Sequence, residues 1–176
     1  MGRRRPWNLL TSDSVAILAP SAQYAAYATA YLDSADRLCR VLARSTRKAT
    51  FERASVIMFL AAHAVELFLK GAIVRQSPSE KFGHNLEHLH NRYKSLFPGK
   101  RFELCIPFET SYGKLSAKEI AALKRSEPHE SERFRYPGNE RSFPWNGLYG
   151  FEPTSFLNDL SALREDFDRL LRAYDA

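Results

Sequence analysis

The sequence predicts an all-α protein, an antiparallel bundle of four to five helices with a long aromatic-rich loop before the last one. Three observations lead there. Apolar residues recur at steps of three and four through four separate segments, the spacing of a single helix face. One of those segments, Ala54 to Val74, is apolar on nearly every side and belongs at the centre of a bundle. Strand-like alternation is confined to a few positions within Arg101–Lys114, where Phe102–Ile106 is either a short strand or an extended loop and is read here as a loop.

The first substantial helix is expected near Pro20-Ser21, because proline suits a first turn and serine caps one. Tyr24, Tyr27, Tyr31, Ala35, Leu38 and Leu42 then mark its apolar face, and the basic stretch Arg44 to Lys48 follows it. The second helix runs from about Thr50 to Gln76 and ends at Ser77-Pro78, since a residue before proline avoids the helical region. A third begins within Gly83-His84-Asn85-Leu86, carries Leu86, Leu89, Tyr93, Leu96 and Phe97 on one side, and stops at Pro98-Gly99. Ser116-Ala117-Lys118-Glu119 has the form of a capping box and starts a short helix to about Arg125. The stretch from Pro128 to Pro153 mixes prolines and glycines with Phe134, Tyr136, Phe143, Trp145, Tyr149 and Phe151, the composition of an ordered loop packed over one end of the bundle. The last helix spans about Thr154 to Tyr174, with Phe156, Leu160, Leu163, Phe167, Leu170 and Tyr174 at helical spacing.

The 176 residues suit one domain over the whole chain, 1–176, with 1–19 as a less ordered N-terminal arm. Hydrophobic residues at 44% and charged residues at 26% are ordinary globular values, which excludes general disorder. The basic start Arg3-Arg4-Arg5 resembles a leader, but Leu9 to Ala19 is broken by Thr11, Ser12, Asp13 and Ser14, so no signal peptide is expected. The apolar run is crossed by His63, Glu66 and Lys70, so no membrane span is expected either. Cys39 and Cys105 lack metal-ligand spacing and read as reduced thiols of a cytoplasmic protein. The net charge of +6, concentrated in Arg3–Arg5 and Arg37–Lys48, favours anionic partners, nucleic acid first.

The most informative feature is the stripe His63, Glu66, Lys70. Steps of three and four put these polar groups on one line of an apolar rod, where buried charges must be paired or face a wet cleft. Glu66 and Lys70 stand at the favourable spacing for an intrahelical ion pair with the acid first. If the stripe instead lines a pocket with Arg133 or Arg135, then Lys70 and Arg135 bind phosphate, Glu66 orients Arg135 and Tyr136 stacks on a base. His84, sited at a helix start, is expected to bond free backbone groups there, and an acid–base role for it needs a partner. His84, His88 and His90 amount to half a zinc site without a completing motif, so neither a metal nor a cofactor is expected. No phosphate-binding glycine loop, dinucleotide fingerprint or nucleophile elbow occurs.

The residues Ala62-His63-Ala64-Val65-Glu66-Leu67-Phe68-Leu69-Lys70-Gly71, followed by Gly83-His84-Asn85-Leu86-Glu87-His88-Leu89 and later Arg135-Tyr136-Pro137, resemble the HEPN family of helical domains. The resemblance covers most of the chain by element order. It implies a bundle of four or five helices, often a homodimer, in toxin–antitoxin, phage-defence and RNA-processing systems. Many members are metal-independent ribonucleases with an Arg and a His separated by four to six residues near the final helix. This chain departs from that motif: Arg125 and His129 are separated by three residues, and Lys124 restores the spacing without the guanidinium fork that grips phosphate. The reading that follows is an RNA- or nucleotide-binding module without the usual nuclease pair, its ligand held by His63, Glu66, Lys70, His84, Arg135 and Tyr136. One alternative is a ribonuclease using Lys124, His129 and Arg133; another is a non-catalytic subunit whose Phe134–Phe151 loop docks a cognate protein.

Overall fold

In the computed structural model of the chain, residues 10–45, 47, 49–107, 115–126, 134–136 and 150–174 are described. They form α1 (Asp13–Ala16), α2 (Pro20–Ala43), α3 (Phe51–Gln76), α4 (Leu86–Leu96), a 3-10 turn (Lys100–Phe102), α5 (Ala117–Ser126) and α6 (Pro153–Tyr174). No strand occurs among the described residues, and the protein is an all-α bundle. Phe102–Ile106 is the end of the 3-10 turn and an extended loop, with Leu104 and Ile106 buried.

Side-chain pairs give the directions of the helices. On α2 and α3, Tyr24 meets Gly71 while Tyr31 meets His63, so the two run antiparallel. Between α2 and α6, Asp33 pairs with Arg164 and the Cys39 thiol donates to the Pro153 carbonyl, again antiparallel. Phe68 stacks on Phe167 and Arg75 donates to the Tyr174 carbonyl, so α3 and α6 run parallel. Two parallel helices cannot be joined by a tight turn, and the chain between them is long enough to hold α4 and α5. α2 thus runs antiparallel to both α3 and α6, which gives those two the same direction within the antiparallel bundle expected from the sequence.

α3 is the axis, and it buries Ala61, Ala64, Val65, Phe68, Leu69 and Ile73 among others. By length and composition it is apolar enough to cross a membrane, with a mean hydropathy of 1.8 in its most apolar window. Of that window 72% is buried inside the bundle, where the apolar surface is covered by protein. α6 buries Leu160, Leu163, Phe167 and Leu170 as the periodicity predicts. On α2 the buried face is Ala28, Leu32, Ala35, Cys39 and Leu42, which leaves Tyr27 and Leu38 about half exposed. The correction has a steric reason: small residues let α2 approach α3 closely, and the bulkier Tyr27 and Leu38 are turned outward.

The helix boundaries show which local signals acted. Pro20 is the first helical residue of α2 and Ala19 its cap, so Ser21 lies inside the helix rather than capping it. Ser77 ends α3 as expected. The α5 capping box forms, with Ser116 N donating to Glu119 Oε2 at 2.8 Å and Glu119 N donating to Ser116 Oγ at 3.4 Å.

α2 comes close to α3 at Gly71, where an added Cβ would lie 2.9 Å from Tyr24 Cβ and 3.1 Å from the Ser21 carbonyl oxygen. Neither atom is the tip of a flexible side chain, so the helices themselves must separate. Gly71→Ala is therefore expected to destabilise, because overpacking costs about 1–3 kcal/mol against the roughly 1 kcal/mol that alanine regains in helix propensity. Urea unfolding checks this, and a variant as stable as the parent would show that α2 yields freely.

Candidate functional site

The stripe on α3 converges on one carboxylate. Glu66, 4% exposed, accepts a 2.7 Å hydrogen bond from Lys70 Nζ, one turn later on the same helix and 7% exposed. The expected intrahelical pair is formed, and it is buried. A second donor reaches the same oxygen from outside the helix: His84 Nδ1 lies 2.9 Å from Glu66 Oε1. His63 Nδ1 stands 3.6 Å from the other oxygen, near enough for attraction but too far for a hydrogen bond.

His84 arrives there through the α3–α4 connection. Arg92 on α4 grips Glu80 with two 2.7 Å hydrogen bonds, which folds the connection back onto the helix. Asn85 is the cap of α4, its side chain accepting from His88 N at 2.8 Å. The expectation that His84 bonds free backbone at this helix start is thus corrected: Asn85 does so, and His84 turns to Glu66. Because an ionised carboxylate only accepts, Nδ1 of His84 carries a proton, and its Nε2 donates to an anion when the ring is protonated. The ring is largely open to solvent, its side chain 73% exposed, so this second nitrogen faces outward. The acid–base partner that the sequence did not supply is Glu66.

Aromatic rings extend the site along α3. His63 stacks on Phe59 at 5.7 Å between centroids and takes the edge of Tyr31 from α2 at 4.6 Å. Arg135 places its guanidinium carbon 5.0 Å from the Phe59 centroid, a cation–π contact one helical turn from His63. Arg135 therefore lies over Phe59 and not against Glu66, the partner proposed for it from the sequence. Tyr136 beside it is 52% exposed. Lys70 is enclosed with Glu66, while His84 and Arg135 are exposed cationic side chains of this face among the described residues. Comparison with known proteins, by family, by curated sequence and by solved structure, finds no match for this chain.

Of the other residues that the sequence singles out, His129 and Arg133 lie outside the described residues, as does most of the aromatic loop, and Lys124 is placed only as a position on α5. His88 is exposed on α4, while His90 is buried with its ring 6.4 Å from that of Tyr93. Among the described residues no group of three or more His, Cys, Asp and Glu side chains could hold a metal ion. Both cysteines are free, Cys39 buried and Cys105 exposed, and burial pushes the Cys39 thiol up to about 11. Two supporting residues emerge only from the structure. Phe59, four residues before His63, stands at a legible helical spacing, whereas Tyr31 comes from another helix and carries no sequence signal as a neighbour of His63.

Burial alone would raise the Glu66 carboxyl, but the donors Lys70 and His84, with His63 nearby, overcome it and hold the group down to about 2, from an ordinary 4.5. A carboxylate lowered on folding stabilises the native state above its unfolded value, and that stabilisation is lost as pH falls through the folded value. Acid unfolding is therefore expected to draw on Glu66 between about pH 4.5 and 2. Stability measured across that window should fall less steeply in Glu66→Gln, and an unchanged slope would exclude Glu66 as a contributor.

Proposed function

We propose that this protein is a HEPN-like RNA- or nucleotide-binding module, with His84 and Arg135 as its phosphate-facing donors and Tyr136 as a stacking surface. The supporting observation is the placement of Arg135 against Phe59, beside His63, on the same stripe of α3 that orients His84 through Glu66. A guanidinium and an imidazole nitrogen on one face suit a phosphate group, and a neighbouring exposed tyrosine suits a base. The net charge of +6 adds a field that draws anions to the molecule. In this proposal Glu66 and Lys70 organise the site from beneath and do not touch the ligand. Its setting is a cytoplasmic homodimer acting in phage defence or stress response.

Filter binding of single-stranded RNA and of nucleotides, at several salt concentrations and with EDTA present, tests it. Binding should weaken as salt rises, and Arg135→Ala should reduce the slope of log affinity against log salt by about one phosphate contact's worth. His84→Ala should weaken binding without unfolding the bundle, because its ring lies mostly in solvent. Absence of any salt-sensitive binding to RNA or nucleotides would overturn the proposal.

A further inference from the structure

At the other end of α4, about 16 Å from His84 by helical rise, lies a cleft of about 630 Å³ between the last turns of that helix and residues 98–106. Its size falls in the range of small-molecule sites. Phe97, Leu104 and Ile106, all buried, supply apolar surface, and His90 adds a buried polar side chain. Lys94 and Lys100 line it as well, and among the described residues Glu103 is its one acidic lining residue.

The wall opposite α4 is pinned at several points, so the cleft is a built feature rather than a gap beside a loose loop. Arg169 on α6 donates to the carbonyls of Arg101 and Glu103 and pairs with Asp166 at 2.6 Å. Asp166 in turn accepts from Cys105 N at 3.1 Å. Tyr93 donates to the Phe102 carbonyl at 2.8 Å and accepts from Tyr174 at 3.1 Å. Gly99 turns the chain into this wall with φ at +106°, a conformation that favours glycine. Ligand sites with walls of this kind lose little on ordering when a molecule enters.

The geometry points to a second, separate binding site here, for a small apolar molecule that carries a single carboxylate, such as a medium-chain alkyl or aryl acid. The body of the ligand lies on Phe97, Leu104 and Ile106, and its head group faces Lys94 and Lys100. Two ammonium groups against one carboxylate leave a surplus of one positive charge, which Glu103 in the same lining offsets, so a monoanion matches the cleft better than a phosphate monoester. Nothing in this site depends on the stripe of α3, so it stands whether or not the protein binds RNA.

Cys105, exposed and part of the cleft lining, reports on occupancy, while the buried Cys39 is an internal reference. Decanoate below its micelle concentration is expected to bind in calorimetry and to slow alkylation of Cys105 by N-ethylmaleimide, with decanol weaker in both. Lys94→Gln with Lys100→Gln should weaken decanoate about tenfold. Cys105→Phe, which adds bulk at an exposed position and leaves the core alone, should abolish the binding while circular dichroism stays native. No heat and no protection of Cys105 would overturn the site; binding unchanged in Cys105→Phe would overturn its location, and equal affinity for decanol would overturn the carboxylate.

Discussion

Glu66→Ala is expected to lower stability by about 3–5 kcal/mol, because it removes one partner of a buried ion pair and leaves the other charged. The Lys70 ammonium, 7% exposed, would lose its 2.7 Å acceptor inside an apolar helix face. His84 would lose the acceptor that holds its ring, and a cavity would open beneath it. A chain of this length should respond with a fall in melting temperature on the order of 10 °C. The double variant Glu66→Met, Lys70→Met removes both charges at similar volume and should recover much of the loss, since well-packed apolar replacements of buried pairs are often neutral or better. A single-variant loss below about 1 kcal/mol would show that Lys70 escapes to solvent.

The double variant also separates two roles of the pair. If Glu66 matters for ligand binding by orienting His84, a stable double variant should still bind RNA poorly, as His84→Ala does. Recovery of stability together with full binding would leave the pair a structural element only.

Phe167→Ala is the second large effect expected, at about 3–5 kcal/mol. Phe167 is 2% exposed and lies parallel to Phe68, with ring centroids 4.0 Å apart, at the seam where α3 and α6 run side by side. Its removal takes away buried apolar surface and the partner ring of a central residue, and the surrounding helices close such a cavity only in part. Phe51→Ala, at a half-exposed position on the first turn of α3, is the matched control and should change stability by no more than about 0.5 kcal/mol. Urea midpoints of the two variants decide it. Equal effects would mean that the Phe68–Phe167 stack contributes no more than a half-exposed ring.

Much of the fold was legible because helices report themselves through repetition. Leu160, Leu163, Phe167 and Leu170 form one line in the sequence and one buried face in the structure. The ends marked by Ser77-Pro78 and by the Ser116–Glu119 box fall where local chemistry puts them. Local signals misled where two competed within a few residues. Pro20 took the first helical position and left Ser21 inside the helix, and Asn85 capped α4 in place of His84. On α2 the tyrosine and leucine pattern described an apolar face, of which packing kept Ala35 and Leu42 and added Ala28, Leu32 and Cys39 beside it, since distance between helices is set by the side chains at the contact.

The candidate site divides in the same way. Glu66 and Lys70 were paired in the sequence because their spacing and their helix are both local facts. That His84 completes the cluster, that Tyr31 supports His63, and that Arg135 lies over Phe59 rather than against Glu66 were decided by tertiary structure alone. So too was the shared direction of α3 and α6, which brings Phe68 onto Phe167. Periodicity determines which face of a helix is apolar, because each step along the chain turns a fixed angle. It carries no information about which distant segment meets that face, because such a meeting depends on the direction and packing of whole helices, and only the folded bundle specifies those.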